Sequence, residues 1–228
     1  MKTKKLVNIN GKDYNLHRSI YTSNYSPVIV SDSMSGKMHD IPSISTSCLL
    51  NSHCQKYRQI KGSICEKCYA HATVKRYSGL NKNLESNYHI LTEQILDASL
   101  LPKFSEDLTT LVRFESFGDI ENETQVINYA NIAKLSPNVT FALWTKNPAI
   151  AKSAFDKVGK PTNMVLIQSS LFINEEVQPA NKHIDKTFTV FDKEGQKTNL
   201  VNCGSRDCFN CRKCYSKKTE SKVYEALK

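Results

Sequence analysis

The chain has 228 residues, 39% of them hydrophobic, with 31 Lys and Arg against 22 Asp and Glu, a formal charge of +9. That is enough apolar matter for one core, and the longest apolar runs, such as Phe141-Ala142-Leu143-Trp144, fall far short of the roughly 20 residues a membrane span needs. With only 8 glycines and no Gly-rich phosphate-loop string, the common nucleotide cradles are excluded.

The basic start, Met1 to Lys5, is followed by Leu6-Val7 and then Asn8, so no apolar signal core follows and a cytoplasmic location is expected. The first 45 residues read as β-rich and irregular, with Asn10-Gly11 as a hairpin turn. From Cys65 to Tyr77 the segment can be helical up to Ser78-Gly79, with both sulfurs on one face of its first turn. Leu84, Tyr88, Leu91, Ile95 and Leu96 recur at near-helical spacing between Asn83 and Leu100, and Pro102 to Leu111 reads as the beginning of another helix. A strand is expected from Leu111 to Phe117, stopped at Gly118-Asp119. A helix from about Glu123 to Leu135, a strand from Val139 to Thr145, a helix from Pro148 to Val158 and a strand from Asn163 to Ser169 follow. Thr187 to Phe191 and Asn199 to Val201 add further strands. This alternation predicts an α/β chain of parallel βαβ units. It divides into an α/β domain over 1–200, with its irregular β-rich start, and a Cys-rich extension over 201–228.

The charge invites a nucleic-acid reading. The basic residues are 25 Lys and 6 Arg beside 19 Asn, a composition bias rather than a surface of bidentate phosphate grips, so nucleic acid is not the favoured partner. Two four-thiolate metal centres would also lower the net charge to about +5.

All eight cysteines fall in two groups, Cys48, Cys54, Cys65 and Cys68, then Cys203, Cys208, Cys211 and Cys214, with none in the 134 residues between. In a reducing compartment such groups point to metal rather than to structural disulfides. Structural zinc generally takes two short pairs separated by a dozen or more residues. The C-terminal intervals are four, two and two, closer to the runs that wrap an iron-sulfur cluster, so a four-iron cluster is the first choice there and zinc the alternative. Gly204, Asp207 and Asn210 suit its turns, and Arg206, Arg212, Lys213, Lys217 and Lys218 would offset its charge. The N-terminal intervals are five, ten and two, which leaves open four ligands in a closed site or three ligands, a spare thiol and an open iron. His53 and His71 read as solvent-exposed rather than as ligands.

Ligands of parallel sheets collect beyond the carboxyl ends of the strands. Here those ends offer Glu115, Gly118 and Asp119, then Trp144, Thr145 and Lys146, then Gln168, Ser169 and Ser170. The bland readings are that Glu115 pairs with Arg113, Asp119 caps the next helix and Trp144 is core.

The order Cys65-x-x-Cys68-Tyr69-Ala70, a strand ending Phe117-Gly118-Asp119, then Trp144-Thr145-Lys146 and a Cys-rich end resembles a set of small phage-encoded proteins that are similar to the radical S-adenosylmethionine superfamily. The resemblance covers about Gly36 to Tyr215. It implies a partial (β/α) barrel of mainly parallel strands, in host cytoplasm. It implies a 4Fe-4S cluster on three cysteines of the first loop, Cys65 and Cys68 with Cys48 or, by preference, Cys54. It also places Ser116, Phe117 and Gly118 against the methionine amino group of S-adenosylmethionine, and gives the last four cysteines an auxiliary cluster. The superfamily's usual intervals are three and two with an aromatic before the last cysteine; here they are longer and Tyr69 follows it, with no Gly-Gly-Glu string. The expected function is a radical S-adenosylmethionine-like enzyme with an electron donor as partner and no membrane. The alternatives are a zinc-dependent nucleic-acid-binding protein and a non-catalytic iron-sulfur electron carrier.

Overall fold

The computed structural model describes residues 5–32, 36–197, 201–204 and 206–227. Two strands, β1 (Leu6–Ile9) and β2 (Lys12–Asn15), pair antiparallel about Asn10-Gly11. Both turn residues have positive φ, 49° and 78°, as a two-residue hairpin turn with the right twist demands.

The main sheet has six parallel strands in chain order: β3 (Ser43–Ile44), β4 (Leu111–Phe114), β5 (Thr140–Thr145), β6 (Met164–Ser169), β7 (Lys186–Phe191) and β8 (Lys222–Ala226). It stays open, with β3 and β8 as its edges, and is the mixed α/β arrangement the alternation predicts. Three helices, α1 (Ser52–Arg58), α2 (Tyr69–Arg76) and α3 (Ser78–Glu93), lie between β3 and β4; α4 (Glu123–Leu135) and α5 (Pro148–Val158) follow β4 and β5, and the short α6 (Cys208–Cys211) lies between β7 and β8. Among the described residues no helix is long and apolar enough to cross a membrane.

The period-2 geometry of strands sorts the core into two faces. Val112 and Phe114, Phe141 and Leu143, Met164 and Leu166 pack with residues of α3, α4 and α5. Phe114 stacks between Tyr129 (4.2 Å) and Phe141 (5.2 Å), and burying each such ring stabilises the fold by about 1.5–3 kcal/mol. Their neighbours Leu111, Ala142, Val165 and Ile167 turn to the other face and meet Tyr215, Phe209, Cys208 and Cys214. One face of the sheet is thus covered by helices and the other by the Cys-rich C-terminal segment.

Local chemistry sets the boundaries. Asn122 caps α4, its side chain accepting from the Gln125 N–H (3.1 Å), while α5 begins with Pro148, whose missing N–H is no loss there, and stops at Gly159 with φ 73°. The helix expected from Pro102 is absent. Its backbone is claimed elsewhere: Lys103 N–H by Asn24 (2.8 Å), Phe104 N–H by Ser136 Oγ (2.9 Å) and Ser105 N–H by the Tyr21 carbonyl (3.3 Å). The strand expected to reach Phe117 ends at Phe114, because Glu115 takes φ 56° and swings the chain out of the sheet. Of the strand expected over 199–201, residues 199 and 200 lie outside the described residues, and Val201 is in no strand. The sixth strand is instead β8, whose charged sequence KVYEA hid it from periodicity.

Candidate cysteine-lined sites

The N-terminal cysteines lie in the crossover that leaves β3, the first strand of the sheet, and are tied to the carboxyl ends of its neighbours. Thr46 donates through its N–H (3.2 Å) and hydroxyl (2.9 Å) to the Glu115 carboxylate, which also accepts from Gln125 Nε2 (2.6 Å) and the Tyr129 hydroxyl. Burial pushes the Glu115 carboxyl up to about 7, against the hydrogen bonds from Tyr129 and Thr46 that hold it down. The Glu115–Arg113 pair of the bland reading does not form, since residues two apart with a reversal of φ between strand and loop no longer share a face. Arg113 lies on the opposite face with its guanidinium 4.1 Å from the Trp144 ring.

Gly118 lets this junction close. A Cβ there would stand 2.6 Å from Glu115 Oε2 and 2.8 Å from the Thr46 carbonyl oxygen, inside contact distance for both. Asp119 is buried and does not cap α4; its carboxylate accepts from the Thr145 hydroxyl (2.6 Å) and the Lys146 N–H (2.9 Å), joining the ends of β4 and β5. Asn51 completes the frame, donating to the Asp119 carbonyl (2.9 Å) and accepting from the Cys54 N–H (2.8 Å) as the cap of α1. Ile64 N–H reaches the Leu171 carbonyl (2.9 Å) just past β6.

Cys65 and Cys68 sit in a hydrogen-bonded turn (3.2 Å) before α2 rather than in its first turn, with Cys68 as its N-cap residue. Their charges, with that of Cys54, act on Lys146 beside Asp119. Burial works against the Lys146 ammonium, yet Cys65, Asp119, Cys54 and Cys68 hold it above the ordinary lysine range. Cys48 differs. It is buried with Ala70, Val74 and Leu84, and burial, then the neighbouring Cys68, push its thiol up to about 12. Burial likewise raises Cys54, with Asp119 next, and Cys65, where Lys146 opposes it.

Beside these sulfurs run Ser116, Phe117 and Gly118. Ser116 N–H is held by Ser45 Oγ (2.9 Å), its carbonyl accepts from the Tyr69 hydroxyl, and the Phe117 and Tyr69 rings stand 6.1 Å apart. Gln168 and Ser169 lie at the end of β6, where Gln168 Oε1 is spent on the Ala180 N–H (2.9 Å). His71 is buried, not exposed: Arg58 Nη1 donates to its Nε2 (2.7 Å), and burial, then Arg58, lower its pKa. His53 stacks loosely on Tyr57 (6.1 Å).

The C-terminal cysteines gather on the other face of the sheet. Cys203, Cys208 and Cys211 each act on Cys214, whose thiol burial pushes up to about 12. Asp207 caps α6, accepting from the Asn210 N–H (3.1 Å). Of the cations near in sequence, Arg206 lines a cavity with Cys203 and Lys37, but the other cations beside the sulfurs come from elsewhere in the chain. Lys37 Nζ stands 3.2 Å from Cys203 Sγ, and Lys37 and Arg113 act on Cys208, whereas Lys213 and Lys217 donate to the Asn202 (2.7 Å) and Thr162 (2.9 Å) carbonyls. Arg212 leans over Phe209. Arg113 Nε and the Tyr215 hydroxyl are both buried there without a hydrogen-bond partner among the described residues.

Among the described residues no three Cys, His, Asp or Glu side chains close on a point as tightly as a single metal ion requires. Thr46, Asn51, Gln125 and Tyr129 escaped sequence reasoning; only Asn51, three before Cys54, carried a readable helix-cap signal. No curated protein and no solved structure matches the chain. The model of the family described as Gene product 88 does match, over residues 5–226, and the chain belongs to that phage protein family.

Proposed function

We propose that this chain is an iron-sulfur protein with the site of a radical S-adenosylmethionine-like enzyme, and that Cys54, Cys65 and Cys68 hold its 4Fe-4S cluster. One observation carries the reading. All three thiols act electrostatically on Lys146, whose N–H donates to Asp119 (2.9 Å) beyond the carboxyl ends of β4 and β5 of a parallel sheet, and Tyr69, next to Cys68, donates to the Ser116 carbonyl. Cys48, packed with Ala70, Val74 and Leu84 beside Cys54 and Cys68, is the one fully buried thiol of the four and is pushed up to about 12, which makes it the spare thiol of this reading. Zinc at 2.3 Å from each tetrahedral sulfur needs thiols about 4 Å apart. The short intervals of Cys208, Cys211 and Cys214 suit the larger cluster instead.

Such a cluster, given an external electron and S-adenosylmethionine at its open iron, supplies the reduction that splits a carbon-sulfur bond into methionine and an adenosyl radical. The chain's own residues bind, orient and exclude water. The 116–118 backbone is fixed by Ser45 and Tyr69, and Gly118 leaves no side chain where the loop crosses it. Phe117, Leu49 and Leu80 close the apolar side, and Lys146 places a positive charge beside the thiolates. At the C-terminal group four cysteines would supply a second anionic centre, and Arg113, with a buried, unpartnered Nε among the described residues, acts on Cys208 and Cys214.

Oxygen-free purification followed by iron and sulfide analysis tests cluster binding; incubation with dithionite and S-adenosylmethionine, read as 5′-deoxyadenosine, tests the enzyme. Iron without deoxyadenosine would leave an electron carrier, and zinc in place of iron would overturn the proposal.

A further inference from the structure

The positive charge of this chain is concentrated on the lobe that bears the N-terminal cysteines. Residues 52–82 carry Lys56, Arg58, Lys61, Lys67, Lys75, Arg76 and Lys82 against Glu66 alone, a net +6 of the whole chain's +9. All seven cations are exposed. Lysines elsewhere find acids, as Lys157 finds Glu123, Lys160 Asp185 and Lys222 Glu176. Among the described residues none of the seven stands in an ion pair.

They sit on one lobe, because the Arg58–His71 hydrogen bond (2.7 Å) clamps α1 against α2. Two large aromatics lie exposed among them, Tyr69 (62%) and Tyr77 (55%), and Tyr69 leans on the Ser116 carbonyl at the edge of the cysteine site. Seven unpaired cations repel one another by a few tenths of a kcal/mol per close pair and gain from a polyanion that releases its counterions. Exposed rings interleaved with cations give bases a surface to stack on, which a folded acidic protein does not need.

We propose that this lobe docks a single-stranded or locally opened nucleic acid, with bases on Tyr69 and Tyr77 and phosphates along α1 and α2. The charge and the rings stand without the cluster; taken with the proposed function, which this part rests on, they name nucleic acid as the substrate class. Tyr69 then marks where a strand passes from the lobe to the site.

The test is fluorescence anisotropy of a labelled oligothymidylate of about 15 nucleotides with the full chain prepared without oxygen, its cluster content read by absorbance on the same sample. If about four phosphates are engaged at ~0.7 ions each, affinity falls roughly 50-fold between 50 and 200 mM salt. Lys67→Glu, Lys75→Glu and Arg76→Glu together should weaken binding more than tenfold, and Tyr77→Leu about tenfold. Lys103→Glu, Lys182→Glu and Lys193→Glu, with the same change in charge at exposed positions away from the lobe, should move it less than twofold. Equal losses in the two triple variants, no effect of Tyr77→Leu, tighter binding of a duplex of equal length, or competition by poly-aspartate as good as by the oligonucleotide would each overturn the inference. Binding by cluster-free protein would sustain the lobe and sink the cluster; a full cluster with no binding would do the reverse.

Discussion

Replacing Glu115 by Gln keeps the shape of the side chain that ties the cysteine loop to the sheet while removing its charge and one of its acceptors. Burial raises the wild-type carboxyl from an ordinary value of 4.5 to about 7. The sign follows from linkage: below pH 4.5 both folded and unfolded chains are protonated, and between 4.5 and 7 the unfolded chain loses the proton first, so stability falls as pH rises and levels off above 7. At 1.36 kcal/mol per unit, this one group removes about 2.5 kcal/mol of wild-type stability between pH 5 and pH 8. Gln cannot titrate, but its amide nitrogen, put in place of Oε2, faces the Thr46 N–H and leaves a buried donor unmatched at a cost of about 1–3 kcal/mol. Glu115→Gln should therefore be clearly less stable than wild type at pH 5 and equal or more stable at pH 8. Urea unfolding of both chains in the same metal state at the two pH values reads the difference. A gap that stays constant from pH 5 to pH 8 would show that Glu115 is ionised throughout and that its four donors outweigh its burial.

Gly118→Ala should cost about 1–3 kcal/mol in the same assay and lower iron retention, because the methyl group drives into the Thr46 carbonyl. Asn51→Ala removes the cap of α1 and the bond to the Asp119 carbonyl, about 1–3 kcal/mol by thermal or urea unfolding. Cys54→Ser should reduce bound iron per chain sharply and Cys48→Ser hardly at all; equal losses in iron analysis would mean four ligands. Arg113→Leu separates two accounts of the C-terminal group: it should reduce metal retention there if the sulfurs carry an anionic centre, and should stabilise a metal-free chain, since it removes a cation with an unmatched buried donor.

The parallel sheet was legible because its helices and strands announce themselves by local means. Asn122 with Gln125, and Pro148 with Gly159, bracket α4 and α5 at the positions their residue types favour. What failed was decided at a distance. The backbone from Lys103 to Ser105 is claimed by Asn24, Ser136 and Tyr21, which no window around Pro102 contains. β8 draws its place from β7, against a sequence with two charges in five residues. The cysteines were found as groups, yet the partners that differentiate them, Lys146 for Cys54, Lys37 for Cys203 and Arg113 for Cys208, lie 92, 166 and 95 positions away in the chain. Spacing shows which sulfurs can meet; the fold shows which charges they meet.

Those charges bear on what the sulfurs are for. A guanidinium on the face of a sheet is costly without an anion, and among the described residues Arg113 meets the Trp144 ring, the Met38 sulfur (3.7 Å), Tyr215 and the cysteines, with its Nε unmatched. Lys146 meets Cys65, Cys54 and Cys68 as well, with the Asp119 carboxylate as its counter-charge. Neutral thiols give neither cation a counter-charge. Thiolates bound to a metal core would. Disulfides would leave Lys146 with Asp119 alone and Arg113 with no counter-charge among the described residues, so the side chains around the C-terminal sulfurs favour ligation over cross-linking on electrostatic grounds independent of cysteine spacing.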